Sequence, residues 1–198
     1  MRIRVKEGEK LINPNGTRFE LEANSHLSLT QITFADQDVS QSFEIIFLGE
    51  QASCELYFLD CAKKNSHLET NIRVFHKVPN CTSIQVHKGL YADSSVGSLK
   101  AFIQVDPHAL GTNASQLHRS LLLSPHAASK PEPHLQINAD AVKCKHGVSI
   151  GQLDDKALFY LRARGLDELT AQRMLIEAFA REITDRVPER AHEVSLWL

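Results

Sequence analysis

A thiol and an imidazole stand two residues apart at Cys144 and His146, inside the run Val142-Lys143-Cys144-Lys145-His146-Gly147. On an extended strand alternate side chains share a face, so Val142, Cys144 and His146 point one way and Lys143 and Lys145 the other. Imidazole and thiolate are suitable ligands for iron and other soft or borderline metals. A complete metal site takes three or four ligands. The remaining ligands must come from a distant part of the chain or from another chain. The plainer reading is a buried small thiol beside a strand histidine, since free cysteine packs like a core residue. Gly147 follows, where the chain can bend or let another backbone approach.

A second stretch, Phe159-Tyr160-Leu161-Arg162-Ala163-Arg164-Gly165, is aromatic and basic on a short predicted helix. Aromatic anchors on a helix suit docking into a partner's groove. They equally suit packing onto the end of a β body with the arginines left in water. No nucleotide-binding, zinc-protease or nucleophile-elbow motif occurs, and no spacing ties the Ser, His and Asp residues into a triad.

Those stretches must be positioned by the rest of the chain. Residues 1–153 read as β structure. Apolar and polar residues alternate through Arg18–Leu21, Phe43–Leu48, Leu56–Leu59, Ile72–Phe75, Ile84–Val86, Leu99–Val105, Leu135–Ile137 and Val142–His146. Leu121–Leu123 is a continuous apolar strand. After Leu27 and Leu29 the phase slips before Ile32 and Phe34, which predicts a bulge or corner. Turn chemistry punctuates the strands at Asn13-Pro14-Asn15-Gly16, Val78-Pro79-Asn80 and Asp93-Ser94-Ser95. Many short strands without crossover helices exclude a doubly wound α/β fold and leave a sandwich, a barrel or a β-solenoid.

From Asp154 the period becomes helical. Asp154 or Asp155 caps a helix that Gly165 ends. A second helix begins at Asp167, with Leu175, Ala178, Phe179 and Ile183 on one stripe, and Pro188 makes its continuation unfavourable. Residues 154–198 are thus expected to form a small C-terminal helical domain. The ending Ser195-Leu196-Trp197-Leu198 is apolar and can dock back or meet a partner.

The formal net charge of -2 offers no bulk attraction for nucleic acid or an anionic membrane. No apolar run approaches the roughly 20 residues that span a bilayer. The first residues lack the apolar core of a signal peptide. The expected compartment is the cytosol, where the four cysteines stay as thiols.

Taken together, the segments from about His67 to Val187 resemble the SufD branch of the SufB/SufD family, scaffold proteins of Suf iron–sulfur cluster assembly. The similarity is carried by His76-Lys77-Val78-Pro79-Asn80-Cys81-Thr82-Ser83, by Leu99–Val105 and Gln116–Ser124, and by Lys130-Pro131-Glu132-Pro133-His134-Leu135-Gln136-Ile137. It continues through Val142–Gly147, Ile150-Gly151-Gln152-Leu153-Asp154, Ala157–Gly165 and Ala171–Glu182. The resemblance implies an irregular right-handed parallel β-helix capped by the C-terminal helices. It implies a non-catalytic subunit that pairs through the β-helix with a SufB-like chain, or with itself, and docks the SufC ATPase through Phe159, Tyr160, Arg162, Arg164, Gly165 and Phe179. It implies that His146, and less directly Cys144, face the partner and help hold iron or a nascent cluster. No tightly bound cofactor is expected, only cargo shared with the partner. The competing reading is a stand-alone β-solenoid that binds or acts on carbohydrate. Such proteins show aromatic rows or clustered acids along a groove, and this chain has one Trp and three Tyr.

Overall fold

The computed structural model describes residues 1–13 and 15–198. Pro14 of the first expected turn lies outside the described residues. Among them are twelve strands: β1 (Arg2–Val5), β2 (Lys10–Ile12), β3 (Arg18–Leu21), β4 (His26–Ala35), β5 (Val39–Phe47), β6 (Ser53–Ala62), β7 (His67–His76), β8 (Thr82–Tyr91), β9 (Val96–Val105), β10 (Asn113–Leu122), β11 (Ala128–Ile137) and β12 (Lys143–Gly151). Odd and even strands form two separate parallel sheets, β1-β3-β5-β7-β9-β11 and β12-β10-β8-β6-β4-β2. The chain therefore alternates between sheets and advances one strand in each per coil. That is the parallel β-solenoid among the folds the alternation allowed.

Pairing in register aligns inward side chains into columns along the solenoid. Leu27 pairs with Cys54, Cys54 with Ser83, Ser83 with Ala114, and Ala114 with Cys144. The first coils fill the lumen with Phe19, Leu21, Leu29, Phe43, Phe47 and Phe58, all buried. Phe43 and Phe58 meet at 4.9 Å between ring centroids. Burying side chains of this size contributes about 1.5–3 kcal/mol each.

No bulge interrupts β4. Its pairing with β6 runs unbroken from His26↔Ser53 to Ala35↔Ala62. The apparent slip is a change of face. Leu27 and Leu29 point into the lumen, whereas Ile32 and Phe34 lie on the outside under the C-terminal helices. Gln31 and Thr33 take the inward places that an amphipathic strand would give to apolar residues. An outer face covered by helix, over a lumen that accepts polar groups, inverts the usual pattern along the second half of the strand.

Those helices are α1 (Asp155–Ala163), α2 (Glu168–Thr184) and α3 (Ala191–Trp197), with a 3-10 turn at Pro188–Arg190 before the last. Asp154 caps α1 by accepting from the Lys156 N–H at 2.9 Å, and Asp167 caps α2 by accepting from Thr170 N–H at 3.0 Å. Gly165, at φ +93°, makes the left-handed turn between them that other residues resist. The helices do not close the end of the solenoid. α2 and α3 lie across the outer face of the even-strand sheet, where Ile176, Ala180, Ile183, Val194 and Trp197 pack on Ile32, Tyr57, Leu59, Val86, Leu90 and Leu121. The buried stripe of α2 is Ala171, Ile176, Ala180 and Ile183, rotated from the expected one: Leu175 is half-buried and Ala178 exposed. The apolar ending docks back through Trp197, while Leu196 stays 79% exposed.

Cations fasten this layer. Lys88, buried on β8, donates to the Phe179 carbonyl at 2.6 Å and pairs with Glu182 at 2.8 Å. Arg186 lies 3.3 Å from the Tyr57 ring centre and bonds Glu55 at 3.1 Å, and Lys63 donates to the Trp197 carbonyl at 3.1 Å.

Tyr91 is the largest fully buried side chain, and it lies over two glycines. A Cβ on Gly97 would sit 1.8 Å from its ring, and one on Gly89 2.4 Å away. Because the ring is enclosed and cannot swing out, Gly97→Ala is expected to cost about 1–3 kcal/mol by overpacking. Urea unfolding measures this, and an unchanged midpoint would show that the ring can yield.

Candidate functional site: the open last coil

The last coil is formed by β11 and β12. Among the described residues β11 pairs only with β9, and β12 only with β10. Each leaves one edge of unpaired backbone donors and acceptors, which is a template for adding a strand. The inward faces of the two strands are also uncovered. On β11 Pro131, Pro133 and Leu135 are half-buried and Ile137 is 41% exposed. On β12 Val148 and Ile150 are each 44% exposed. Most lumen-side residues of the middle coils are buried; here the same positions form a largely apolar mouth.

Cys144 and His146 occupy this mouth, on the inward face in register with Ala114 and Gln116. The structure places them differently along it. Cys144 is half-buried and packs against the lumen core, and burial raises its thiol pKa above the ordinary value. His146 is exposed. Lys143 and Lys145, on the outer face, are exposed as well. Cys54, Cys61 and Cys81 are buried elsewhere; burial pushes Cys81 up to about 11, and Cys54 higher still. Those three are core thiols.

Among the described residues no three His, Cys, Asp or Glu side chains gather closely enough to hold a metal ion. A metal or cluster at the mouth would need donors beyond Cys144 and His146.

The helical stretch divides. Phe159 is 74% and Tyr160 54% exposed, and α1 buries none of its residues. Arg164 stacks on Tyr160 with 4.3 Å to the ring centre, and Arg162 pairs with Glu168 at 3.3 Å. Phe159, Arg162, Gly165 and Leu166 line an open groove of about 980 Å³ between α1 and α2. Phe179 stands apart from this group. It is half-buried under Lys88, whose ammonium lies 5.0 Å from the ring centre. It anchors α2 to the sheet.

The lumen next to the mouth holds a row of buried polar side chains. His87 Nε2 meets Asp60 Oδ2 at 2.7 Å, and His87 Nδ1 meets His118 Nδ1 at 3.0 Å. Ser120 Oγ is 2.7 Å from His118 Nε2 and 2.7 Å from Ser129 Oγ. Gln41 donates to Asp60 at 3.1 Å, and the Thr70 hydroxyl donates to the same carboxylate. A signal for this row exists in the sequence: Gln85-Val86-His87 recurs as Gln116-Leu117-His118, and the register places Gln85 beside Gln116 and His87 beside His118.

Two parallel sheets wound coil upon coil, with an open last coil, define a β-solenoid protein. The SufBD core domain of the SUF system for iron–sulfur cluster assembly matches residues 3–179, and the chain belongs to that family. It is 36% identical over 137 residues to the iron–sulfur cluster assembly protein SufD of Escherichia coli, covering 69% of this chain and 32% of that protein. Protein ABCI7, chloroplastic, of Arabidopsis thaliana is 35% identical over 170 residues, covering 85% and 36%. An iron–sulfur cluster assembly SufBD family protein of Synechocystis is 43% identical over 110 residues, covering 56% and 24%. The chain thus spans about a third or less of the length of these relatives.

Proposed function

We propose that this chain is a non-catalytic scaffold subunit of Suf iron–sulfur cluster assembly, of the SufD type. The observation that carries the reading is the open last coil: two unpaired strand edges flanking an uncovered apolar mouth that includes Cys144 and His146. A second solenoid, from a SufB-like subunit or another copy of this chain, would cover the mouth and pair its edges. It would also contribute the donors that His146 and Cys144 lack. Iron and sulfide are cargo in this scheme, held between chains while a cluster forms. Imidazole and thiolate from one side with thiolate from the other make a donor set suited to iron.

The groove between α1 and α2, with Phe159 and Tyr160 exposed beside it, would dock SufC. ATP hydrolysis belongs to that partner. The fastening of α2 to β8 through Lys88 gives a stiff route by which movement of a docked ATPase reaches the coils. The helices lie on one face of the solenoid and the mouth at its end, so both partners have room to bind at once.

His146→Ala should leave folding and SufC capture unchanged, because the side chain is exposed, and should lower the iron and sulfide recovered with the reconstituted complex. Loss of one metal-ligand imidazole is expected to weaken iron retention at least about tenfold, the scale on which even supporting groups act at metal sites. Metal analysis of the purified complex decides it; wild-type iron content in the variant would remove His146 from the site.

A further inference from the structure

The buried row in the lumen is continuous, and each step is a good hydrogen bond: Asp60 to His87 at 2.7 Å, His87 to His118 at 3.0 Å, His118 to Ser120 at 2.7 Å and Ser120 to Ser129 at 2.7 Å. It begins deep in the core, where Asp60 is fully buried, and crosses from the even-strand sheet to Ser129 on β11. Ser129 is half-buried, and His118 and Ser120 stand in register with Val148 and Ile150 of the open coil. We propose that this row is a proton relay between the open end of the solenoid and the Asp60–His87 pair, a role separate from partner docking and independent of what binds at the mouth.

Every member between the ends can both donate and accept. With the row at rest, His87 Nε2–H donates to the Asp60 carboxylate, and His118 Nδ1–H donates to His87 Nδ1. Ser120 O–H donates to His118 Nε2, and Ser129 O–H donates to Ser120. When a hydronium ion at the mouth gives a proton to Ser129 and departs as water, Ser129 passes its own proton to Ser120, Ser120 passes its own to His118 Nε2, and His118 releases its Nδ1 proton to His87. One proton enters and one is stored, with His87 as imidazolium beside Asp60. No bond between heavy atoms changes. The Gln41 amide and the Thr70 hydroxyl both donate to Asp60 and so hold a carboxylate ready to face the arriving charge. Burial and the neighbouring His87 lower the His118 pKa to about 3, so His118 conducts and does not store. The other titratable groups near Asp60 are Tyr91 and Cys61, both held protonated by burial.

The test is deuterium exchange of the proton shared by His87 and His118, read by NMR on the full chain labelled with ¹⁵N-histidine. Rates are normalised to the backbone amides of β8 and β10, which report opening of the same coils. The variant is Ser120→Ala with Ser129→Ala, which removes the exit and also the 3.4 Å contact from His118 to Ser129. A relay predicts that the shared proton exchanges about tenfold or more slowly in the variant relative to those amides. A purely structural network predicts the opposite: lost hydrogen bonds loosen the coil, and exchange keeps pace with the amides or outruns them. That result would overturn the relay. Should the double variant not fold, Ser129→Ala alone, changed at a half-buried position, carries the same two outcomes.

Discussion

Between pH 7 and pH 4 the solenoid is expected to lose about 6 kcal/mol of stability through two buried histidines. His76 is fully buried, stacked on Phe47 at 4.4 Å, with Nε2 at 2.9 Å from the Ser83 hydroxyl and no partner for Nδ1. Protonation would put a charge, and an N–H without an acceptor, into a dry core, and burial accordingly lowers its pKa to about 4. Burial, with His87 adding to it, takes His118 to about 3. In the unfolded chain both titrate near 6.5. The unfolded state therefore binds the additional protons in the window between, and stability rises with pH across it. The contribution is complete above about pH 6.5 and is lost as pH falls toward 4 and 3, at about 3 kcal/mol for each histidine by pH 4. Urea unfolding at pH 7, 5.5 and 4 measures the slope. His76→Gln should flatten it by about half, and a wild-type protein equally stable at pH 7 and pH 4 would contradict the burial argument.

Replacing Asp60 by alanine is expected to cost about 3–5 kcal/mol, because its partners stay behind unpaired. Gln41, Thr70 and His87 all direct donors at this carboxylate, and Thr70 and His87 are buried away from water. Domain stabilities are only about 5–15 kcal/mol, so the variant is expected at the edge of folding at 37 °C. Asp60→Asn keeps a carbonyl oxygen but turns an acceptor into a donor, and should cost about half as much by leaving fewer groups unsatisfied. Replacing Asp60, Thr70 and His87 together by apolar residues of similar volume should recover much of the loss. Chemical unfolding of the three proteins orders them. Near-equal stability of wild type and Asp60→Ala would mean that the donors find other acceptors.

The alternation of residue types made the strands legible, together with their number and the absence of crossover helices. A resemblance carried by segments in order chose the solenoid among all-β folds. Capping aspartates and Gly165 marked the helices to within a residue or two. What stayed hidden depended on long-range register. His87 and His118 are 31 residues apart in sequence and 3.0 Å apart in the lumen, and only the coil length brings them together. The face change in β4 resembled a bulge because amphipathicity was read against a single buried face, whereas this sheet is covered on both. α3 was missed because Pro188 reads as a stop, although it opens a 3-10 turn that leads into a further helix. At the site, the shared face of Cys144 and His146 was legible from spacing. Their unequal exposure was not, since it depends on Cys144 meeting the filled lumen while His146 lies farther along an uncovered coil.

If the open coil and the α1–α2 groove are two separate docking surfaces, each can be lost without the other. Native mass spectrometry of this chain co-expressed with its cognate SufB-like and SufC proteins tests it most directly. Val148→Lys with Ile150→Lys should abolish pairing at the mouth and retain SufC. Phe159→Ala with Tyr160→Ala should lose SufC and retain pairing. A wild-type chain that is well folded and captures neither protein, or variants that lose both partners together or neither, would contradict the account.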